Sequence, residues 1–327
     1  ALNMKNIFKL TTLASLAVTL MLGSCTSKFD DINSDPDALE TGSPTNMLGY
    51  VLRSTMSNQG GFDATEAWAG YISKIQYMDN YNYLPTNNTY GNKFSNCYRM
   101  NVQLDDILAQ TEASADEFKN LRWAARIFKE YLWLVNTDQF GDMPYTEANK
   151  VEDGVMKAKY DSQETIYPAI LENLKAIADE MAGGLGTDDI GVGDFLFNGD
   201  AQKWQKFCNS LRLRAAMRIV NVAPDLAKST IEEVCQNLTS YPVLETSAEN
   251  AYFYWQGSSP YFEPYYNDFR TRDDYGMSNI FVNHLLSTED PRISAIMQPA
   301  ATDGVYRGYE NGALSAPSNI QTISRMG

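Results

Sequence analysis

One apolar stripe constrains the fold of this chain more than any other feature of its sequence. Between Ser114 and Gln139, apolar residues recur at alternating intervals of three and four residues, at Phe118, Leu121, Ala125, Phe128, Leu132 and Val135. This interval marks one face of a helix, and the stripe continues for about five turns, so it must be buried against other elements. Gly141 and Pro144 then end the helix. The stripe predicts a long helix within a helical core.

Further segments of helical periodicity lie on both sides of this stripe. The predicted helices cover residues 63–80, 92–112, 161–183, 200–219, 224–238 and 277–287. They form two helical hairpins, 114–183 and 200–238, with a spacing loosely like that of tetratricopeptide units, although the consensus of those repeats is absent. The segment 251–275 lacks periodicity and is rich in aromatic residues. We therefore expect an all-α fold of tetratricopeptide-like helix pairs with long, irregular, aromatic-rich loops.

The N-terminus has the pattern of a secretory signal. Lys5 and Lys9 precede an uncharged run over residues 10–22, which is too short for a membrane span of about 20 residues. Small residues and then Cys25 follow, as in a bacterial lipobox, where the cysteine is lipidated; an ordinary cleaved signal is the alternative. We expect residues 1–24 to be the signal peptide, 25–45 a lipidated N-terminus and polar tether, and 46–327 a helical binding domain.

Charge and cysteine content narrow the class of protein. The chain has 26 basic and 41 acidic residues, a net charge of −15, which argues against nucleic acid as a partner. If Cys25 is lipidated, Cys97, Cys208 and Cys235 remain, and they allow at most one disulfide. We therefore expect no disulfide framework, and the sequence contains no cysteine pair spaced for zinc.

Catalytic patterns are scarce. His284 is the only histidine, so a Ser-His-Asp or Cys-His arrangement is not readily built. No phosphate-binding glycine loop is present. The acidic residues Asp188, Asp189, Asp194 and Asp200 form either a cation site or a solvated loop in which Asp200 caps the next helix. The abundance of carboxylates alone leaves a glycosidase pair possible in principle. We expect no catalytic residues, cofactor or metal.

Two clusters of aromatic residues point to ligand binding. The first alternates tyrosines at 77–90 with asparagines, and the second is the run over 252–266. Sugar rings are bound by aromatic faces flanked by amide and carboxylate groups, often on loops; packing of the loops onto the helices is the structural alternative. The predicted ligand-binding residues are Trp68, Tyr77, Asn80, Tyr81, Tyr83, Trp255, Tyr261 and Tyr266.

Several longer segments resemble a known family. Residues 136–145 read NTDQFGDMPY, 160–167 read YDSQETIY, and 199–219 read GDAQKWQKFCNSLRLRAAMRI. Residues 29–36 read FDDINSDP, and 290–292 read DPR. In this order, together with the lipobox, they resemble the SusD/RagB-like outer-membrane lipoproteins of Bacteroidetes over essentially the whole mature chain.

The resemblance implies both a fold and a function. It implies tetratricopeptide-like helix pairs in a surface-exposed, lipid-anchored outer-membrane protein that captures glycans or other nutrients for a SusC-like TonB-dependent transporter. Such proteins are not enzymes, and their shared motifs look structural. Relatives run well past 327 residues, so the chain looks truncated at its C-terminus. The alternatives are a helical-repeat lipoprotein that binds peptides or proteins and a lipid-anchored glycoside hydrolase.

Overall fold

Most of the buried apolar residues of this chain lie on long helices. The computed structural model describes residues 42–60, 64–78 and 87–327. Its helices are α1 (Pro44–Gly60), α2 (Ala64–Trp68), α3 (Asn87–Gln110), α4 (Lys119–Phe140), α5 (Gln163–Ala182), α6 (Ala201–Arg218), α7 (Pro224–Gln236), α8 (Pro264–Phe269), α9 (Asn279–Ser287) and α10 (Ile293–Ile296). Its short strands are β1 (Ile72–Lys74), β2 (Tyr275–Met277), β3 (Met297–Gln298) and β4 (Arg325–Met326). Residues Pro44–Gly327 form one compact unit.

The long helices pack in the order of the chain. Helix α1 lies against α3, α3 against α4, α4 against both α5 and α6, and α6 against α7. A single large core runs through these helices. The predicted hairpins 114–183 and 200–238 are therefore confirmed as α4–α5 and α6–α7, and the fold is the expected all-α arrangement of tetratricopeptide-like helix pairs.

Helix α4 is the predicted central helix, with a corrected start. Leu121, Phe128 and Leu132 of the stripe are buried, and Gly141 ends the helix in the left-handed region at φ 75°. The prediction that the helix begins at Ser114 is wrong, because Ser114 has non-helical dihedrals within a 3₁₀ segment, Glu112–Phe118. Buried residues also cover the other faces of α4, as expected for a helix packed between several neighbours.

The segment 63–80 departs most from its prediction. Only Ala64–Trp68 is helical, and Ile72–Lys74 forms a strand instead. That strand pairs antiparallel with Tyr275–Met277, with Ser73 opposite Gly276. A partner about 200 residues away in sequence overrides the helical pattern of the segment.

Two smaller corrections concern the C-terminal third. The segment 251–275 is not irregular throughout, because Pro264 opens the short helix α8. The helix predicted from Met277 begins at Asn279, since Met277 belongs to β2, and the Ser278 hydroxyl caps the helix by accepting the Ile280 amide. A second two-stranded sheet pairs β3 with β4.

Cys97 and Cys208 are buried free thiols, and Cys235 is an exposed free thiol. Within the described ranges, none of the helices has both the length and the apolar character needed to cross a membrane. Cys25 and the tether lie outside the described residues.

Candidate ligand-binding surface

In the segment 251–263, here called the aromatic loop, the side chains of residues 252–255 alternate between exposed and buried positions. Tyr252 and Tyr254 are 65% and 69% exposed, whereas Phe253 is buried and Trp255 is partly buried. An extended backbone directs successive side chains to opposite faces. The loop is therefore anchored on the core through Phe253 and leaves two tyrosine rings in solvent.

Four aromatic rings join this loop to the helical core. The ring centroids of Phe253 and Trp255 are 4.6 Å apart, and Phe195 lies 5.7 Å from Phe253 and 5.3 Å from Tyr261. The guanidinium of Arg53, on α1, stands 5.9 Å from the centre of the Tyr261 ring, within cation–π range. Trp255 and Tyr261 therefore belong to one aromatic group held by neighbours on both sides.

A cavity of about 440 Å³, here called the loop cavity, opens between α1 and this segment. Its size falls within the range of small-molecule sites, about 300–1,000 Å³. Neither Arg53 nor Asp268 makes a hydrogen bond or ion pair through its side chain with another residue that the structure describes, so the cavity offers an uncommitted donor and acceptor. The lining residues are Arg53, Ser57, Ser259, Pro260, Phe262, Pro264, Asn267 and Asp268.

Helix α8 forms one wall of the loop cavity and is fixed at its start. The Glu263 carboxylate caps it by accepting the Tyr266 amide at 2.7 Å. The Tyr265 hydroxyl donates to Glu66 of α2 at 2.8 Å, which ties α8 to an element 199 residues earlier. Tyr266 itself is exposed and lies 5.8 Å from Phe262.

The structure brings together three of the predicted ligand-binding residues. Trp255, Tyr261 and Tyr266 all lie on the aromatic loop or at the start of α8. None of them lines the loop cavity itself, but Tyr261 contacts Arg53 and Tyr266 contacts Phe262, which both line it. Their exposure differs: Tyr266 is exposed, whereas Trp255 and Tyr261 are partly buried. Trp255 and Tyr261 are linked through Phe253 and Phe195, and Tyr266 contacts Phe262.

The candidates of the first cluster have other surroundings. Trp68 is partly buried and meets Tyr90 edge-on at 6.0 Å, a contact between α2 and α3. Tyr77 is exposed, and the Arg272 guanidinium stands 5.6 Å from its ring centre. The remaining candidates, Asn80, Tyr81 and Tyr83, lie outside the described residues.

Sequence reasoning missed Arg53 and Asp268. Arg53 is the only charged residue of α1, and a lone charge in an otherwise uncharged helix was a signal available in the sequence. Tyr252 and Tyr254 were part of the predicted cluster but not selected, and the alternation from Tyr252 to Trp255 could have shown which rings face solvent. Nothing local in the sequence marks Asp268.

The acidic stretch near α6 is structural. Asp188 accepts the amides of Asn120 and Leu121 at the start of α4, at 2.9 to 3.2 Å. Asp200 accepts the amides of Gln202 and Lys203, which confirms the predicted helix cap. Over the described parts of the chain, no group of three or more histidine, cysteine or acidic residues is placed to hold a metal ion.

The segments that carry the family resemblance pack against one another. Met143 and Asp161 form an isolated antiparallel bridge, which joins 136–145 to 160–167. Arg218, at the end of α6, donates to the Asp138 carboxylate at 2.7 Å, and the Tyr167 hydroxyl also donates to Asp138. Burial, together with this bond to Asp138, raises the pKa of Tyr167 to about 12, so it remains a donor at neutral pH. These motifs hold α4, α5 and α6 together.

Comparisons with known proteins agree with this architecture. The sequence model of a SusD-like family, described as starch-binding and associating with the outer membrane, matches residues 36–326. A chitin-binding protein is similar in structure, with a TM-score of 0.69 and 21% identity over 87% of this chain and 64% of its own. A SusD/RagB family protein from Bacteroides thetaiotaomicron has a TM-score of 0.70 and 22% identity over 88% of this chain and 62% of its own.

A third similar structure is an outer membrane protein from Bacteroides vulgatus that is associated with nutrient binding. Its TM-score is 0.66, with 22% identity over 88% of this chain and 63% of its own. At this identity the likeness shows the fold. The chain spans less than two thirds of the length of these three structures. No curated protein matches the sequence.

Proposed function

Because the chain belongs to the SusD-like family described as starch-binding and associating with the outer membrane, we propose that it captures oligosaccharides at the loop cavity. The captured glycan is then passed to a SusC-like TonB-dependent transporter in the same membrane. The observation that carries this proposal is the meeting of the aromatic loop with the uncommitted side chains of Arg53 and Asp268.

The chemistry of the loop cavity suits a sugar. Pyranose rings offer apolar C–H faces to aromatic side chains and hydroxyl edges to polar groups. Phe262 lines the cavity, and the adjoining aromatic loop adds the rings of Trp255 and Tyr261, which are held in fixed positions. Arg53 can donate to hydroxyl oxygens, and Asp268 can accept from hydroxyl protons. The exposed rings of Tyr252 and Tyr254 extend the surface for a ligand longer than one sugar unit.

Binding without hydrolysis is the function that this lining supports. Glycosidases use two carboxyl groups about 5 to 9.5 Å apart on either side of the scissile bond. Asp268 is the only carboxylate among the described residues that line the loop cavity. A single carboxylate beside an arginine serves to bind hydroxyl groups.

The cellular setting of the proposal rests on the N-terminal sequence. Lipidation at Cys25 would hold the protein at the outer membrane, on the cell surface, and the predicted polar tether would reach from residue 26 to the start of α1 at Pro44. The net charge of −15 favours uncharged glycans over polyanions as cargo.

A calorimetric screen tests the proposed site. The titrants are malto-oligosaccharides, chito-oligosaccharides and short peptides. Each is titrated into the full chain, and the same titrations are then repeated with the Trp255→Ala and Tyr261→Ala variants. We expect an oligosaccharide to bind and each substitution to weaken that binding by about tenfold, because a stacked ring contributes on the order of 1 kcal/mol beyond its buried area. The Arg53→Ala variant should weaken binding by a similar factor, since it removes a charged donor.

A matched variant tests whether loss of any exposed aromatic ring weakens binding, or only loss of a ring at the site. Tyr160 is 66% exposed and lies before α5, away from the aromatic loop, so Tyr160→Ala should bind the oligosaccharide as the unchanged protein does. The site would be refuted if the Trp255→Ala and Tyr261→Ala variants bound the oligosaccharide as tightly as the unchanged protein. Binding of peptides with no binding of glycans would favour the peptide-binding alternative.

A further inference from the structure

A second cavity, here called the helix cavity, lies among the long helices and shares no lining residue with the loop cavity. It measures about 460 Å³ and is bounded by α3, α4, α5 and the segment 145–150 between α4 and α5. Part of its wall is aromatic, because the rings of Trp133 and Tyr145 meet edge-on at 5.5 Å. None of the motifs or contacts assigned above to glycan capture uses it.

A buried carboxyl group lines the helix cavity. Glu130, on α4, is 6% exposed, and its Oε1 accepts the amide of Asn173 at 3.0 Å. The same amide nitrogen donates to the Tyr145 hydroxyl at 3.2 Å. Glu130 Oε2 is also buried but has no hydrogen-bond partner among the residues that the structure describes. A buried polar atom without a partner costs about 1–3 kcal/mol, so a ligand atom that hydrogen-bonds to Oε2 would gain that free energy.

The protonation state of Glu130 decides which kind of group can pair with Oε2. Burial raises the pKa of Glu130 to about 8, even though Asn173, Lys129 and Arg126 act to lower it. At neutral pH the carboxyl group is therefore mostly uncharged. Because Oε1 accepts from Asn173, the proton resides on Oε2, which becomes a hydrogen-bond donor.

The charged groups nearest Glu130 are two basic side chains on α4, each paired with an acidic residue of a neighbouring helix. On α4, Lys129 pairs with Asp105 of α3, and Arg126 pairs with Glu180 of α5 at 2.6 Å. The Tyr145 hydroxyl and, on α6, the Cys208 thiol also face it, and burial raises both of their pKa values so that neither is ionised at neutral pH.

Lys150 supplies the remaining charge at the rim of the helix cavity. It is exposed and forms no ion pair with any residue in the described ranges. Its position is fixed by the preceding residue: Asn149 adopts the left-handed conformation at φ 58°, and its side-chain amide donates to the Tyr98 carbonyl at 3.1 Å. The cavity thus combines a neutral carboxyl donor, an aromatic wall and an unpaired cation.

We propose that the helix cavity binds a small carboxylate, either an acidic monosaccharide or another organic acid of similar size. One carboxylate oxygen of the ligand accepts the proton of Glu130 Oε2, and its negative charge lies near Lys150. The body of the ligand packs on Trp133 and Tyr145. A cationic ligand is disfavoured because Arg126 and Lys129 already place positive charge beside Glu130.

Four ring compounds of similar size test the class of ligand. Glucuronate, glucose, glucosamine and cyclohexanecarboxylate are titrated into the full chain by calorimetry at pH 7. We expect glucuronate to bind at least about tenfold more tightly than glucose, since a charge-assisted hydrogen bond separates them. Cyclohexanecarboxylate distinguishes an acidic sugar from another organic acid as the ligand. If it binds as tightly as glucuronate, the cavity is an organic-acid site, and if it binds more weakly, the cavity is an acidic-sugar site. Preference for glucose or glucosamine, or no binding of either carboxylate, overturns the proposal.

Two substitutions test the residues. Lys150→Met should weaken the binding of the preferred carboxylate by about tenfold, whereas Lys228→Met, at an exposed lysine on α7, should leave it unchanged. Binding to the unchanged protein should weaken as the pH rises through about 8, because ionised Glu130 repels the ligand. Glu130→Gln keeps a neutral donor, so it should retain binding and lose this pH dependence. An unaltered affinity in Lys150→Met, or the same pH profile in Glu130→Gln, overturns the proposal.

Discussion

Asp194 organises the turn that leads into α6. Its buried carboxylate accepts the backbone amides of Leu196, Phe197 and Gly199 at 2.9 to 3.2 Å. It also accepts the indole N–H of Trp204, a fully buried ring of the core, at 2.8 Å. One side chain therefore satisfies four donors that the fold removes from water, which explains why an acidic residue can lie inside a hydrophobic core.

Removing the Asp194 carboxylate should be costly. Asp194→Ala leaves the Trp204 indole and three amides without acceptors, and we expect the free energy of unfolding to fall by at least about 3 kcal/mol. Urea denaturation followed by tryptophan fluorescence measures the change. Asp189→Ala is the matched control: Asp189 is exposed and accepts only the Gly191 amide, so its loss should cost less than about 1 kcal/mol. Equal costs for the two variants would contradict the assignment.

Asp161 links two elements, because it joins the segment after α4 to the start of α5 by hydrogen bonds. Its carboxylate accepts the backbone amide of Thr146 at 2.7 Å and the hydroxyl of Thr146 at 2.8 Å, and it also receives the Tyr145 amide. Burial alone would raise the pKa of Asp161, but these hydrogen bonds outweigh it and hold the pKa below the ordinary 3.8. The ionised form is therefore the one that the fold stabilises.

The hydrogen bonds to ionised Asp161 predict that the stability of the protein depends on pH. A carboxyl group whose pKa is lowered by folding contributes fully above its unfolded pKa, and the contribution is lost as the pH falls through its folded pKa. We expect Asp161→Asn to lower the free energy of unfolding by about 1–2 kcal/mol at pH 7. The difference from the unchanged protein should shrink below about pH 4 and vanish in stronger acid. Denaturation curves across this range check the result, and a constant difference at every pH would contradict it.

The helices could be predicted because their signals are local. The stripe from Phe118 to Val135 requires only the repeat of one helix, so α4 followed from the sequence apart from its first turn. The strand Ile72–Lys74 could not be predicted in the same way. Its hydrogen-bond partners come from Tyr275–Met277, and no pattern within either short segment specifies the pairing.

The same distinction holds for the candidate site. Trp255, Tyr261 and Tyr266 could be selected because they stand close together in an aromatic run. Arg53 and Asp268 are 215 residues apart and line one cavity only because α8 is held near α1 by the folded chain. A cavity built from distant elements leaves no spacing rule in the sequence, which is why its polar members were not found.

For the whole molecule, the two cavities differ in the chemistry that they offer. The loop cavity pairs one cation with one carboxylate beside exposed rings, which suits an uncharged glycan. The helix cavity faces a net positive set of side chains, although the protein as a whole has a charge of −15. Attraction of an anion is therefore restricted to within about 10 Å of that opening at ordinary salt, and the rest of the surface repels it. We therefore expect the affinity for the carboxylate to change with salt concentration, whereas the affinity for an uncharged glycan at the loop cavity should not.

The proposed lipid anchor and the proposed binding surface lie in different parts of the chain, so anchoring and ligand capture should be separable. Cys25→Ser removes the thiol that would be lipidated, so the protein should leave the membrane fraction and appear in soluble material. Ligand affinity should be unchanged, because the loop cavity is formed by α1, α8 and the aromatic loop. Fractionation followed by immunoblotting, with calorimetry on the released protein, measures both properties.

A cysteine elsewhere in the chain supplies the control for this experiment. Cys235 is an exposed free thiol on α7, so Cys235→Ser tests whether loss of any accessible thiol disturbs attachment. We expect the Cys235→Ser protein to remain in the membrane fraction and to support glycan uptake, whereas Cys25→Ser should abolish attachment and impair uptake. Retention of Cys25→Ser in the membrane fraction would contradict the lipid anchor, because a signal peptide without lipidation would release the mature chain. A parallel loss of ligand affinity in Cys25→Ser would instead show that the anchor and the binding surface depend on each other.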